Sequence, residues 1–151
     1  TFFMIGKIKY APGTLASLTS CFLFLLLFTK FDIIIIFLVT ILIFFYSLVA
    51  INNSFDIFKS DDPQEIVIDE VVGQMLTLLA IPIYETLYPL PIFYYCLASF
   101  FFFRLFDIWK PYPVNYADNN IKGALGIMID DILASIYAIL SLSLIFFFLG
   151  G

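Results

Sequence analysis

Long, uninterrupted apolar blocks are the feature of this sequence that most constrains its fold. Five of them occur, at residues 15–28, 33–51, 66–81, 92–103 and 127–149. Hydrophobic residues make up 63% of the 151 residues and charged residues only 13%, whereas a soluble domain carries roughly 25% charged residues. A water-soluble fold of this length could not bury so much apolar surface. The sequence therefore predicts an integral membrane protein that forms a single domain over residues 1–151.

The continuity of these blocks predicts helices, because a membrane β-barrel needs apolar and polar residues to alternate in segments of roughly 10 residues. A helix needs about 20 residues to cross a bilayer, and the blocks at 33–51 and 127–149 have this length. The blocks at 15–28 and 66–81 are shorter, so they either span with flanking residues or are re-entrant. The expected fold is an all-α, polytopic membrane protein with about five apolar helices.

Local signals predict several helix boundaries. The run Asp-Pro-Gln-Glu at 62–65 resembles an N-cap, an N1 proline and a capping-box glutamate, and it is expected to start the third helix. Asp32 is a suitable N-cap for the second helix. Pro111 and Pro113 are expected to end the fourth helix soon after Lys110, because proline removes a backbone donor and restricts the residue before it.

The basic residues predict the orientation in the membrane. With five spans, six of the seven lysines and arginines fall on one side, and only Lys30 falls on the other. The crowded side is predicted to be cytoplasmic, because Lys and Arg are enriched in cytoplasmic loops. This assignment places the connection 82–91 outside. It gathers the charged stretches 61–70, 104–113 and 126–131 at the cytoplasmic ends of the third, fourth and fifth blocks.

Acidic residues beside these apolar blocks indicate a functional site, since carboxylates are costly in or next to hydrocarbon. We expect the first acidic pair to lie one turn into the third helix and the last pair to open the final helix. Gly73 would let a neighbouring helix or a lipid headgroup approach closely, although plain helix packing is the simpler interpretation. The alternative for the first pair is that its acids snorkel or cap the helix, and the alternative for the last pair is helix N-terminal acids favoured by the macrodipole. The candidate acids are Asp69, Glu70, Asp107, Asp130 and Asp131.

Basic residues accompany these acids. Arg104 and Asp107 share a helix face, and Lys110 follows three residues later, so the face is expected to alternate in charge. The alternative is that Arg104 and Asp107 form a salt bridge only with each other at the end of the helix. The chain has no histidine, and Cys21 and Cys96 lie inside apolar blocks. A metal site would therefore use hard oxygen ligands, which suit Mg²⁺. Such a site, with Arg and Lys nearby, is suited to phosphoryl transfer to water.

Other functions receive less support. The net charge of −5 gives no basic patch for nucleic acid. A small ion-transport or channel subunit would spread its acids through the membrane depth, and a non-catalytic lipid-binding scaffold would not need five converging carboxylates. Direct attack by water requires no covalent intermediate, but an aspartyl-phosphate route through Asp107 or Asp69 stays open. The sequence leaves the oligomeric state open.

Four motifs occur together in one order over residues 11–134. They are Ala-Pro-Gly-Thr-x-x-Ser at 11–17, Ile-Asp-Glu-x-x-Gly at 68–73, Arg-x-Phe-Asp-x-x-Lys-Pro-x-Pro at 104–113 and Gly-Ile-Met-x-Asp-Asp-x-x-Ala at 126–134. This combination resembles the bacterial phosphatidylglycerophosphatase A family. Ala16, Ala124 and Ser135 stand where that family often has glycine, which affects packing rather than the acids.

The resemblance implies a Mg²⁺-dependent phosphatase of the bacterial inner membrane, with its active site facing the cytoplasm. Its substrate would be phosphatidylglycerophosphate in the lipid bilayer, and its product phosphatidylglycerol. The resemblance also implies roles for individual residues. The metal or the attacking water would be held by Asp69, Glu70, Asp107, Asp130 and Asp131, the phosphate by Arg104 and Lys110, and the headgroup by Gly13 and Thr14.

Overall fold

The computed structural model describes residues 12–54 and 67–151, and almost all of this part of the chain is helical. Its seven helices are α1 Pro12–Phe28, α2 Ile33–Ser54, α3 Ile68–Leu78, α4 Ile81–Leu87, α5 Ile92–Trp109, α6 Val114–Asn120 and α7 Ala124–Gly150. No strand occurs in these two ranges. The predicted all-α fold is confirmed.

Three helices are long and apolar enough to cross a membrane, namely α2 over Ile33–Asn53, α5 and α7. Helix α1 is apolar but shorter, with 17 residues. Helix α3 has only 11 residues, which is about 16 Å of helix against a hydrocarbon core of about 30 Å. The first and third blocks are therefore short, as the sequence predicted, and α3 is too short to cross as one straight helix.

Two predicted helix boundaries are confirmed. Asp32 directly precedes α2, and its backbone carbonyl accepts the first hydrogen bonds of that helix. Helix α5 ends at Trp109, and Lys110 caps it in the left-handed conformation, with φ of 47°, just before Pro111. The predicted cap at 62–65 lies outside the described residues.

The positions of both acidic pairs need correction. Helix α3 begins at Ile68, so the acids at 69–70 lie in its first turn rather than one turn further in. Helix α7 begins at Ala124, so the acids at 130–131 lie about two turns inside it rather than opening it. The reason is that α7 starts upstream of the apolar block, directly after Gly123. The macrodipole, which acts within the first turn, is therefore a poor explanation for the second pair.

Two short helices were not predicted. The connection at 82–91 contains α4, with Pro82 in its first turn. Proline is pre-organised for that position, so Pro82 favours a helix within the connection. Helix α6 follows Pro113 in the same way, and its seven residues have no apolar pattern that would predict it.

Helix α5 runs antiparallel to α7. At one end of the pair, the rings of Tyr95 and Phe146 have centroids 5.4 Å apart, and at the other end Phe106 and Tyr137 are also separated by 5.4 Å. The end of α5 therefore lies beside the first half of α7. The acids carried by these two helices are consequently at the same end of the bundle.

Helices α1 and α3 begin at this same end. Gly13 in α1 lies against Arg104 of α5, and further along α1 the Cys21 thiol approaches the carbonyl oxygen of Cys96 at 3.8 Å. Both cysteines are buried free thiols. At the opposite end of the bundle, the carbonyl of Leu87 in α4 packs against the end of α7. One end of the bundle thus carries the acids.

The core and the outer surface suit a membrane protein. The largest buried cluster combines apolar residues of α1, α3, α4, α5 and α7 with Ile36 of α2, and Phe24, Met75 and Tyr84 are among its members with no exposed surface. Helix α2 has only 17% of its apolar span buried and exposes large side chains such as Leu42 and Phe45. An exposed apolar surface of this kind is expected where a helix faces lipid.

Candidate active site

Three carboxylates form a cluster where α3 meets α7. Asp69, Glu70 and Asp131 each offer an oxygen, and the three oxygens lie within 4.8 Å of one another. We call this group the three-acid cluster. Asp69 is 8% exposed and Asp131 is 3% exposed. Like charges this close, and this poorly hydrated, require a compensating cation or proton.

Gly73 allows α3 to approach its neighbours closely enough to form the cluster. A Cβ atom at this position would lie 2.6 Å from the Phe103 ring and 3.1 Å from the backbone oxygen of Asp131. Because Gly73 is one turn after the acids of α3, this close packing brings their carboxylates to Asp131. The structure thus supports the helix-packing role for Gly73.

Arg104 connects the cluster to Asp107. Its Nη1 atom donates a hydrogen bond to Oδ2 of Asp107 and lies 3.9 Å from Oε1 of Glu70. The predicted salt bridge between Arg104 and Asp107 is therefore present, but Arg104 also lies within salt-bridge distance of Glu70. The Nε atom of Arg104 is buried and has no hydrogen-bond partner among the described residues. A guanidinium with an unused donor beside a carboxylate cluster is suited to an anionic ligand.

Lys110 pairs with acids outside the cluster. Its ammonium lies 2.6 Å from Oδ1 of Asp118 and 2.8 Å from Oδ2 of Asp130. Burial alone would lower the pKa of Lys110, but the hydrogen bonds and charges of the two aspartates outweigh burial and raise that pKa above its ordinary value.

The predicted alternation of charge along one face of α5 is therefore not completed by Lys110. The left-handed cap conformation turns the chain away from the helix at this residue, so the three-residue spacing no longer places Lys110 beside Asp107. This conformation costs a non-glycine residue roughly 1–2 kcal/mol. A lysine where glycine would be relaxed indicates that its side chain is needed here.

The five predicted acids thus lie at one end of the bundle but in two environments. Three form the cluster, while Asp107 and Asp130 are each paired with a cation. Asp130 keeps one oxygen, Oδ1, that is buried and has no partner in the described ranges. Asp107 and Asp130 therefore stay predicted ligands, and the cluster is the part of the set that the geometry brings together.

The start of α1 lies directly against the site. A Cβ atom on Gly13 would lie 2.0 Å from Oε1 of Glu70 and 3.1 Å from Nη1 of Arg104. The free backbone N–H groups and the dipole of a helix N-terminus favour anions. Thr14 is half-buried beside Gly13, and its side chain makes no hydrogen bond to another described residue. Its contact with a headgroup stays a prediction.

Sequence reasoning missed two residues. Gln74 is fully buried, and neither polar atom of its amide has a partner in residues 12–54 or 67–151. Its position four residues after Glu70 places it on the same helix face, and this spacing could have identified it. Asp118 pairs with Lys110 only because α6 folds back toward α7, and no sequence signal reports that.

The sequence of this chain is similar to those of known proteins. The sequence profile of the family described as Phosphatidylglycerophosphatase A matches residues 1–146. A Haemophilus influenzae protein named Phosphatidylglycerophosphatase A is similar to this chain, with 36% identity over 135 residues, covering 89% of this chain and 78% of that protein. No solved structure matches this chain.

Two further relatives are similar to this chain, and one of them carries a different name. A Bacteroides thetaiotaomicron protein named Putative phosphatidylinositol-3-phosphatase is 32% identical over 141 residues, covering 91% of this chain and 85% of that protein. An Escherichia coli protein named Phosphatidylglycerophosphatase A is 40% identical over 75 residues, covering 50% of this chain and 40% of that protein.

Proposed function

This chain belongs to the phosphatidylglycerophosphatase A family, and we propose that it hydrolyses the terminal phosphomonoester of phosphatidylglycerophosphate with Mg²⁺ as cofactor. The products are phosphatidylglycerol and phosphate. The observation that carries this proposal is the three-acid cluster with the Arg104 guanidinium beside it. Buried carboxylates next to a cation with a free donor are suited to binding a metal ion and a phosphate together.

The donor set of the site fits Mg²⁺. Every candidate ligand is a carboxylate, and the chain contains no histidine. Oδ1 of Asp69 and Oε2 of Glu70 are buried and lack hydrogen-bond partners within the described ranges. Buried carboxylate oxygens without donors are available for a hard cation, which prefers oxygen ligands. Asp69, Glu70 and Asp131 would hold the ion. When bound, it supplies positive charge that stabilises the phosphoryl group in the transition state.

The protein's own residues position the reacting groups. Arg104 donates to phosphate oxygens through its unused Nε–H, while Asp107 fixes the guanidinium. The N-terminal amides of α1, beside Gly13, add donors for the same anion. A carboxylate of the cluster accepts the proton of the attacking water. The bond from water oxygen to phosphorus forms as the phosphorus–oxygen bond to glycerol breaks, and the glycerol oxygen leaves as a hydroxyl group by taking up the proton that the carboxylate accepted. Lys110 bridges Asp118 and Asp130 at the edge of the site, and its contact with the phosphate stays a prediction.

The position of the acids favours an enzyme over an ion-conducting subunit. A conduction pathway would place acids at several depths along the bundle. Among the described residues, the candidate acids lie instead where α3, α5 and α7 meet, at the end of the bundle where α1 begins. A single layer of acids is expected for a site that acts on a headgroup at a membrane surface.

We place this site on the cytoplasmic face of the bacterial inner membrane, because Lys110 and Lys122 lie at the same end of the bundle as the acids. Tyr116→Cys and Lys122→Cys, in a background lacking Cys21 and Cys96, should react with an impermeant thiol reagent only from the cytoplasmic side. All of these engineered positions are exposed. Thr86→Cys in α4, at the opposite end, should react only from outside. Reaction of position 86 and position 122 from the same side would contradict this orientation.

Phosphate release by the purified protein tests the function. We expect release from phosphatidylglycerophosphate with Mg²⁺ and little release from phosphatidylinositol 3-phosphate. The second lipid is included because one relative is named Putative phosphatidylinositol-3-phosphatase. Hydrolysis of only phosphatidylinositol 3-phosphate would contradict the proposed substrate but would still show that the protein is a lipid phosphatase. Hydrolysis of neither lipid would refute the proposal.

Gly13→Ala is expected to lower kcat/KM by roughly 10-fold or more while the protein stays folded. The added methyl group would meet Oε1 of Glu70 at 2.0 Å. Because the end of the Glu70 side chain can move aside, we expect the new methyl group to displace that carboxylate rather than to unfold the protein. A displacement of about 1 Å can lower the rate by 10²-fold. Gly151→Ala is the matched control, because the nearest atom to its new methyl is 3.6 Å away. Equal kinetics for the two variants, measured beside their melting temperatures, would show that the contact is unimportant.

A further inference from the structure

An apolar groove runs between α1 and α5 on the outer surface of the bundle. It encloses about 440 Å³ and is lined by residues that include Leu15, Leu18 and Leu25 of α1 and Phe93 and Leu97 of α5. Leu18 and Leu97 are about half exposed, so the groove opens toward the surrounding lipid. Nothing in the proposed chemistry uses this part of the molecule.

One end of the groove lies at nearly the same membrane depth as the candidate active site. On α1 the groove starts at Leu15, about 3 Å along the helix axis from Gly13 but on another side of the helix, and on α5 its nearest lining residue, Leu97, is seven residues or about 10 Å from Arg104. From Leu15 to Leu25 the groove follows ten residues of α1, or about 15 Å of helix. That is half of the roughly 30 Å hydrocarbon core, and therefore about the depth of one leaflet. The groove thus runs from near the depth of the acids into the membrane, over about the length that one acyl chain occupies in a leaflet.

The lining of the groove suits a hydrocarbon chain as its occupant, because it is apolar apart from Thr19. Two small side chains, Cys21 and Cys96, are buried along the groove. Leucine at either position would reduce the space, so the two thiols help to keep the groove open.

We propose that this groove binds one acyl chain of the lipid substrate, so that the phosphate and the chain are held as one ligand. The inference rests on the proposed function, since it takes a phospholipid as the substrate. The surrounding lipid is as apolar as the groove, so binding gains little from hydrophobic burial. The groove acts by orientation: a chain fixed along α1 and α5 directs the headgroup toward Arg104 and the three-acid cluster.

Filling the groove tests this inference. Leu18→Trp and Leu97→Trp place a larger side chain in it, whereas Leu42→Trp in α2 and Leu140→Trp in α7 change exposed leucines that do not line it. We compare kcat/KM for dioleoyl and dihexanoyl phosphatidylglycerophosphate in the same detergent. The groove variants should lower the ratio of long-chain to short-chain kcat/KM by about 10-fold, and the control variants should leave it unchanged. An unchanged ratio in all four variants would overturn the inference.

A second experiment separates failure of the groove from failure of the proposed function. Phosphatidylglycerol with a photoreactive diazirine near the end of one acyl chain is cross-linked to the unsubstituted protein, and the labelled peptides are identified by mass spectrometry. Label should concentrate in Leu15–Leu25 and Phe93–Leu97 and decrease in the Leu18→Trp protein. Label spread evenly over the exposed face of α2 would overturn the proposal. This measurement needs no turnover, so it decides the groove even if no phosphate is released.

Discussion

Replacing Asp131 or Asp69 with asparagine is expected to lower kcat/KM for phosphatidylglycerophosphate by about 100-fold or more. Each substitution keeps the shape of the side chain but removes a negative charge from the three-acid cluster. Both carboxylates are buried, and their oxygens lie within 4.8 Å of one another and of Glu70. A cation held by three charges would lose one of them, so the loss should appear in catalysis whichever acid is changed.

The stability of these variants separates a catalytic role from a structural one. Crowded, poorly hydrated carboxylates destabilise a fold, so Asp131→Asn without metal should melt at the same temperature as the unsubstituted protein or higher. Greater stability with lost activity is typical of substitutions at active sites. A lower melting temperature together with unchanged kcat/KM would show that the cluster is structural.

Asp32→Asn and Glu85→Gln are the matched controls. Both residues are exposed, and they lie at the end of the bundle opposite the acids, before α2 and in α4. Each substitution removes one carboxylate, as the test variants do, so both control proteins should retain nearly full activity. Comparable losses in the control and test variants would show that the site has been assigned to the wrong residues.

The continuity of the apolar blocks and the placement of charges predicted much of this molecule. The apolar blocks predicted the long helices. The distribution of Lys and Arg predicted the orientation, and that orientation placed the candidate acids at one end of the bundle. The pairing of Arg104 with Asp107 followed from their three-residue spacing. These features depend on local geometry, which the sequence specifies directly.

The division of the five acids between two environments could not be predicted in this way. Adjacent residues of a helix point about 100° apart, so Asp130 and Asp131 diverge, and the rotation of α7 decides which of them reaches the cluster. That rotation is set by packing such as the contact of Gly73 with Phe103. The turn at Lys110 also depends on a backbone conformation that lysine seldom adopts.

Removal of divalent metal is expected to abolish phosphate release, and added Mg²⁺ is expected to restore it. The three-acid cluster has no cationic side chain at salt-bridge distance other than Arg104 within the described residues, and Arg104 is 3.9 Å from Glu70. One shared guanidinium cannot neutralise three buried carboxylates, so the remaining charge requires a cation or protons, and we propose that Mg²⁺ supplies it. Zn²⁺ should restore activity poorly, because it favours histidine and cysteine ligands that the site lacks.

Thermal stability gives a measurement of metal binding that is independent of turnover. Mg²⁺ at 100 times its dissociation constant should stabilise the protein by about 2.7 kcal/mol, which raises the melting temperature on the order of 5–10 °C. Asp69→Asn should lose most of this rise, and Glu85→Gln should keep it. Because Asp69 is buried in the cluster and Glu85 is exposed in α4, that difference would assign the effect to the cluster. Full activity in excess chelator, with no thermal response to Mg²⁺, would refute the metal site.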